Sequence, residues 1–217
     1  MPEPAIRAIL WDFGGVFTSS PFEAFARYER EQGLPADFIR RVNARNPDDN
    51  AWAKLERSEV DLDTFCRLFE AETQAHGHRV PGRDVLALLA GDVRPQMVAA
   101  QRRIRGRFHT ACLTNNVRHG SGPAMADNPR RAAEVAEVMA LFDHVLESSK
   151  IGARKPEPRV YRIALEHLRS APEETVFLDD LGINLKPARA LGLHTIKVSS
   201  AEQALRELEP LLGIALR

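Results

Sequence analysis

Five short apolar runs, each ending abruptly in polar or small residues, leave this chain few folds to choose from. Residues 5–11 run into Asp12, Gly14 and Gly15, and residues 108–113 into Thr114, Asn115 and Asn116. Residues 142–146 lead to Glu147, Ser148 and Ser149, residues 175–178 to Asp179-Asp180, and residues 194–198 to Ser199-Ser200. Runs this short and this continuously apolar suit strands buried on both faces. With helix-like segments between them, they predict an α/β fold: a parallel sheet with helices on both faces. In such sheets ligands sit outside the carboxyl ends of the strands, so the polar tails of the first four runs are expected to meet.

The helices are legible too. Tyr161, Ile163, Ala164, Leu165 and Leu168 form a stripe at helical spacing after Pro156 and Pro158. Ala188, Ala190 and Leu191 close a short helix before Gly192, and residues 201–212 read as a terminal amphipathic helix whose last turn Pro210 interrupts. Residues 19–91 differ from the rest. They carry no strand pattern, only helical spacing at Phe22, Phe25 and Ala26, at Phe38, Ile39 and Val42, at Trp52 and Leu55, and at Phe65, Leu68 and Phe69. Breaks fall at Gly33-Leu34-Pro35, Asn46-Pro47 and Pro81-Gly82. This is a helical insertion expected to hang over the strand ends, with 1–18 and 92–217 as the core domain. Residues 117–131, punctuated by glycine and proline, read as a lid or an irregular surface loop.

Bulk properties exclude several classes of function. Lys+Arg and Asp+Glu are equal at 30 each in 217 residues, which gives no electrostatic reason for a nucleic-acid or membrane partner. Cys66 and Cys112 form neither a disulfide framework nor a zinc spacing. No signal peptide is read at the start, and no apolar run approaches the ~20 residues of a membrane span. A cytoplasmic protein is the expectation; the oligomeric state is not legible.

The strand ends carry the chemistry. An aspartate ending a buried strand, as Asp12 does, is costly to desolvate unless something compensates it. Asp179 and Asp180 place two like charges side by side, which a cation relieves. Magnesium prefers hard oxygens, and Asp12, Asp180 and the carbonyl of Gly14 offer them. Lys155 supplies a compact positive charge to hold Asp12 ionised and neutralise phosphate. Thr114 and Asn115 bring a hydroxyl and an amide suited to phosphate oxygens. Phosphoryl transfer needs little more than a placed nucleophile, a metal and such donors.

The ordered set Asp12, Thr114, Lys155 and Asp179-Asp180 resembles the four motifs of the haloacid dehalogenase superfamily along the whole chain. The stretches LTNN, ARKPEPRVY and VFLDDLGINLKPARALGLHTI are most similar to the phosphatase-type domain of soluble epoxide hydrolases and to related stand-alone bacterial hydrolases. The resemblance implies a Rossmann-like core with a helical cap inserted after the first motif. It implies a Mg²⁺-dependent phosphohydrolase acting on a small phosphorylated metabolite through an aspartyl-phosphate on Asp12. Thr114 would hold phosphoryl oxygens, Lys155 would bridge nucleophile and phosphate, and Asn115 would contact phosphate or substrate. Asp180 would ligate the metal, with Asp179 and Asn184 supporting the site from behind.

One position departs from that pattern. Most phosphatases of the superfamily carry a second aspartate two residues after the nucleophile, to protonate the leaving oxygen and later activate water. Here that residue is Gly14. A better leaving group, such as a sugar 1-phosphate or acyl phosphate, is one answer. Another is a substitute proton carrier, with His76, His78 and His119 as candidates by type. A third is a weakly active or non-catalytic binding protein. A metal-free 2-haloacid dehalogenase also lacks the second aspartate, but the Asp179-Asp180 pair argues against it. Among other residues, Trp11 should face away into packing. Arg154 could steer an anion. Phe17, Thr18 and Ser19 could hinge the insertion, and Arg45, Trp52 and Arg57 could line its pocket.

Overall fold

A computed structural model describes residues 5–116 and 129–217. Its centre is a parallel sheet of β1 (Ala8–Trp11), β2 (His109–Thr114), β3 (His144–Glu147), β4 (Thr175–Asp179) and β5 (His194–Lys197), in the order β3-β2-β1-β4-β5. Between β1 and β2 lie α1 (Pro21–Glu31), α2 (Phe38–Asn43), α3 (Ala51–Glu56), α4 (Leu62–Ala75), α5 (Gly82–Ala87) and α6 (Pro95–Ile104). Then α7 (Pro129–Met139) and α8 (Ser148–Ile151) flank β3, α9 (Pro158–Leu168) precedes β4, α10 (Gly182–Ala190) precedes β5, and α11 (Ala201–Leu212) follows it. None of the described helices is long and apolar enough to cross a membrane.

The fold is a Rossmann-like α/β core, and β1 is its axis. Ala8–Trp11 pairs with His109–Cys112 on one side and Thr175–Leu178 on the other. Successive side chains on a strand point to opposite faces. Ile9 and Trp11 accordingly enter one apolar cluster with Met97 and Ile104 of α6, Val135 of α7 and Leu205 of α11. Ala8 and Leu10 enter the other, with Val160, Tyr161 and Leu168 of α9 and Leu185 of α10. Every residue of β1 is fully buried, as an unbroken apolar run requires.

Helices α1–α5 share a third apolar cluster drawn wholly from residues 22–89, built around Trp52, Phe65 and Phe69. Ring centroids there lie 4.6 Å apart for Trp52–Phe65 and 5.6 Å for Phe65–Phe69. The two passages between this set and the sheet run side by side. Arg94 N donates to Phe17 O at 2.7 Å, Ser19 N to Asp92 O at 2.8 Å, and Thr18 and Val93 form an antiparallel bridge. Phe17 itself is a core residue, edge-on to Trp11 and to Phe142 at 5.2 Å each. Its side chain is thus anchored in the core, and it joins the crossing through its carbonyl, beside Thr18 and Ser19.

Two local expectations are corrected. β3 starts at His144 rather than at Phe142, and Asp143 just before it accepts from Thr110 N through Oδ2 at 2.8 Å. Pro210 does not interrupt α11, which runs to Leu212. Pro210 and Arg206, whose carbonyl loses its partner, are both exposed, so that carbonyl is not buried without a partner. The break at Pro81-Gly82 falls where expected, between α4 and α5, and Gly82 opens α5. A Cβ on Gly82 would lie 2.6 Å from the Cα of Cys66, so the glycine allows α5 to approach α4. Most of the 117–131 loop lies outside the described residues.

Ile9 touches both the register and the larger core. Ile9→Ala is expected to lower the unfolding free energy by about 2–5 kcal/mol in a urea titration. A loss below about 1 kcal/mol would show that β1 is not the packing axis.

Candidate functional site

Along the chain β1, β2 and β3 step one way across the sheet, and β4 and β5 lie on the other side of β1. The order therefore reverses between β1 and β4, where a parallel sheet leaves a crevice at its carboxyl edge. Asp12 leaves β1 there, its backbone N donating to Leu178 O at 2.9 Å, and Asp179-Asp180 closes β4 beside it. Carboxylate oxygens of Asp12, Asp179 and Asp180 lie within 4.8 Å of one another.

Lys155 enters this acidic cluster with its ammonium 2.7 Å from Asp12 Oδ1 and 2.8 Å from Asp179 Oδ2, and is 2% exposed. Asp12 Oδ1 also accepts from Phe13 N at 2.7 Å. Asp179 is fully buried, with both oxygens 3.0 Å from Asn184 Nδ2 and Oδ1 accepting from Leu181 N at 2.8 Å. Tyr161 holds Asn184 in turn, its hydroxyl donating to Asn184 O at 2.7 Å. The main chain of Lys155 is clamped by Asn115, which accepts from Lys155 N at 2.9 Å and donates to Lys155 O at 3.0 Å. Asn115 thus lines the cavity while its amide serves chiefly to place Lys155.

The electrostatics follow from burial and charge count. Burial works against the Lys155 ammonium, but Asp12 and Asp179 outweigh it and hold the proton more firmly than usual. Burial raises the Asp12 carboxyl well above its ordinary value, and repulsion from Asp179 and Asp180 adds to this against the pull of Lys155. Asp180 is pushed up to about 6, first by burial and then by Asp179. Three carboxylates facing one ammonium are short of positive charge, so the cluster suits a divalent cation. The donor set is hard oxygen throughout.

These groups open onto a cavity of about 450 Å³. Asp12, Gly14, Thr114, Asn115, Lys155, Asp180 and Asn184 line its floor, and Phe22, Phe25, Arg40, Trp52, Glu56 and Leu89 line the opposite wall. The tails of β1, β2 and β4 meet there as expected. The tail of β3 does not line it. Glu147 and Ser148 instead fasten Asn116, through Asn116 Nδ2 to Glu147 Oε1 at 2.6 Å and Asn116 N to Ser148 Oγ at 3.0 Å.

Other candidates scatter. Trp52 lines the cavity and Trp11 faces the core. Arg45, His76 and His78 line a separate hollow with Phe38 and Arg41, away from Asp12. Arg57 is tied up with Glu59 at 2.6 Å. His119 lies outside the described residues. Arg154 lines the cavity but is paired with Glu56 and donates to Pro47 O at 2.9 Å. Two residues escaped the sequence reading. Ser20 reaches Asp180 Oδ2 at 3.5 Å, and Glu56 accepts from Asn115 Nδ2 at 3.1 Å. No spacing signals Glu56, because its place depends on how α3 lies over β2.

Comparison with known proteins adds a family to this geometry. The family model described as haloacid dehalogenase-like hydrolase matches residues 6–192. Mouse acyl-CoA dehydrogenase family member 10 is 35% identical over 216 residues, which cover 97% of this chain and 19% of that protein. Pig bifunctional epoxide hydrolase 2 is 32% identical over 98% of this chain and 40% of its own length. The chain therefore spans well under half of these two relatives. Phosphatase MT3486 of Mycobacterium tuberculosis is 30% identical over 92% of this chain and 90% of its own. Among solved structures, a haloacid dehalogenase-family enzyme of Bacteroides thetaiotaomicron, complexed with magnesium and inorganic phosphate, aligns with a TM-score of 0.59 at 19% identity. The alignment covers 94% of this chain and 99% of that one. At that identity it shows the shared fold.

Two predictions follow from the packing and charge of the cluster. A Cβ on Gly15, whose φ is +74°, would lie 2.2 Å from Asp180 Oδ2. Gly15→Ala should displace that carboxylate and weaken Mg²⁺ binding at least about tenfold by calorimetry while the chain stays folded; unchanged affinity would place the cation elsewhere. In chelator, folded Asp180 takes up a proton near pH 6 that the unfolded chain takes up only near 3.8. Its contribution to stability should therefore rise as pH falls from 7 to 5. Saturating Mg²⁺, which needs the ionised form, should reverse that slope, and Asp180→Asn should abolish the difference in melting temperature.

Proposed function

The chain belongs to the haloacid dehalogenase-like hydrolases, and from that premise we propose that it is a magnesium-dependent phosphohydrolase acting on a small phosphorylated metabolite. The observation that carries this reading is the Asp12, Asp179 and Asp180 cluster gathered around Lys155 at the reversal of strand order. The full-length likeness to a mycobacterial phosphatase supports it.

The residues present fit Mg²⁺. Asp12 and Asp180 offer carboxylates and Gly14 a backbone carbonyl, and magnesium usually takes one or two carboxylates with waters and substrate phosphate. Bound there, the cation supplies positive charge to the transferring phosphoryl group. Asp12 attacks: its oxygen bonds to phosphorus as the bond to the leaving oxygen breaks, and water then hydrolyses the aspartyl-phosphate. Lys155 sits where it can touch both Asp12 and a phosphoryl oxygen. Thr114, 4% exposed at the end of β2, offers its hydroxyl to another. Asp179 and Asn184 hold Lys155 and the start of α10 in place. Residues 19–91 act as a cap over the core of 1–18 and 92–217, closing the cavity with Phe22, Phe25 and Trp52 and excluding water.

Gly14 favours a second reading, a weakly active or non-catalytic binding protein. A metal-free 2-haloacid dehalogenase is the weakest alternative, since that chemistry has no use for the Asp179-Asp180 pair.

The decisive assay is hydrolysis of p-nitrophenyl phosphate and acetyl phosphate with and without Mg²⁺. Turnover is expected to need the metal and to fall by at least about 10³-fold in Asp12→Asn, as loss of a nucleophile does. Silence on both compounds from folded, Mg²⁺-bound protein would favour the binding reading. Halide release from a 2-haloacid without metal would favour the dehalogenase.

A further inference from the structure

Phosphate ester hydrolysis needs a proton carrier. The leaving oxygen must gain a proton as its bond to phosphorus breaks, and the attacking water must later lose one. Gly14 has no side chain for either task. Among the described residues lining the Asp12 cavity, the carboxylates are Asp12, Glu56 and Asp180, and no histidine, cysteine or tyrosine joins them. Asp12 is the nucleophile and Asp180 faces the cation. Lys155 is held protonated by Asp12 and Asp179. Among the described residues of the lining, Glu56 is the carboxylate left.

Its position fits. Glu56 is the last residue of α3, and its side chain is 17% exposed. Oε2 accepts from Asn115 Nδ2 at 3.1 Å and pairs with Arg154. No described residue bonds Oε1. Asn115 directly follows Thr114 and clamps Lys155, whose ammonium is 2.7 Å from Asp12. One amide thus links Glu56 to the residues that hold the phosphoryl group.

Resting on the phosphohydrolase reading, we infer that Glu56 is the carboxylate that carries the proton Gly14 cannot. In the first step an Asp12 oxygen bonds to phosphorus, the ester P–O bond breaks with its electron pair on the leaving oxygen, and protonated Glu56 gives that oxygen its proton. In the second step ionised Glu56 takes a proton from water as the water oxygen bonds to phosphorus. The bond between Asp12 and phosphorus breaks, orthophosphate leaves, and the Asp12 carboxylate is restored. Glu56 ends the cycle protonated, as it began.

The test uses the full chain with Mg²⁺ and three substrates: acetyl phosphate, p-nitrophenyl phosphate and glycerol phosphate. Wild type, Asp12→Asn, Glu56→Gln, Gly14→Asp and the Glu56→Gln/Gly14→Asp double variant are compared. A Cβ at residue 14 meets no atom within 4 Å, so a side chain can leave the backbone there without a clash. Glu56→Gln should lower kcat for glycerol phosphate by about 10²–10⁴-fold. With p-nitrophenyl phosphate it should release a burst of about one nitrophenolate per enzyme and then stall, because the first step needs no proton donor for that leaving group and the second needs a base to take the proton of water. The double variant should recover turnover. Wild-type kcat in Glu56→Gln, a loss confined to KM, or a loss that Gly14→Asp does not repair would overturn the assignment and leave Glu56 as a tie between helices and sheet. Silence of the wild type on all three would overturn the phosphohydrolase reading itself, and this one with it. Loss in Asp12→Asn with none in Glu56→Gln would overturn this one alone.

Discussion

The buried ammonium of Lys155 is the interaction on which the rest of the site depends. Two like charges about 4 Å apart repel by about 4 kcal/mol even at an effective dielectric near 20. Asp12, Asp179 and Asp180 at such spacing would not tolerate one another without a cation. Lys155 answers part of that repulsion, at 2.7 and 2.8 Å from two of the three carboxylates. Burying it is itself costly unless its partners are well placed. Much of the surrounding polar structure places them. Asn184 and Leu181 N hold Asp179, Tyr161 holds Asn184, and Asn115 grips the Lys155 main chain. Even the tail of β3 serves this end, by fastening Asn116 beside Asn115. The charge left over after Lys155 is what suits the cluster to a divalent cation.

Adjacent glycines at 14 and 15 look alike in sequence and differ in cause. Gly15 is required by space and backbone: it has positive φ and leaves no room for a Cβ beside Asp180. Gly14 has neither constraint, since a Cβ there would meet nothing within 4 Å. Its missing side chain is therefore a matter of chemistry rather than of folding. The open space keeps the backbone carbonyl available and removes a proton carrier from the strand end. Whatever performs that role must come from another element.

Much of this was legible because both the fold and the strand-end residues answer to rules that act locally. A run such as AILW, apolar throughout, fits a strand buried on both faces, and the crevice at the reversal of strand order then gathers Asp12, Thr114 and Asp179-Asp180. Lys155 was legible through its motif. What could not be read depends on how helices are set over the sheet. Arg45 and Arg40 belong to one short stretch at α2, yet Arg40 faces the Asp12 cavity and Arg45 a separate hollow. No periodicity separates them without knowing which side of α2 meets the sheet. By type Asn115 suits a phosphate oxygen, while its geometry spends the amide on Lys155 and Glu56. Glu56 carries no local signal at all.

The ties between helices and sheet converge on the loop that carries Lys155. Arg154 binds Glu56 and Pro47 O, Ser58 Oγ donates to Ser149 O at 3.2 Å, and Arg57 lies 3.8 Å from Glu157. Three of these four contacts attach α3 and its flanks to residues within two positions of Lys155. Lifting α3 to admit a substrate would break the Arg154–Glu56 pair and release one bond from Asn115. The Lys155 ammonium would keep its bonds to Asp12 and Asp179, and its main chain both bonds to Asn115, since none of these partners lies on α3. The wall of the cavity and the charge arrangement on its floor are thus joined through Arg154 and Asn115 yet held by separate contacts.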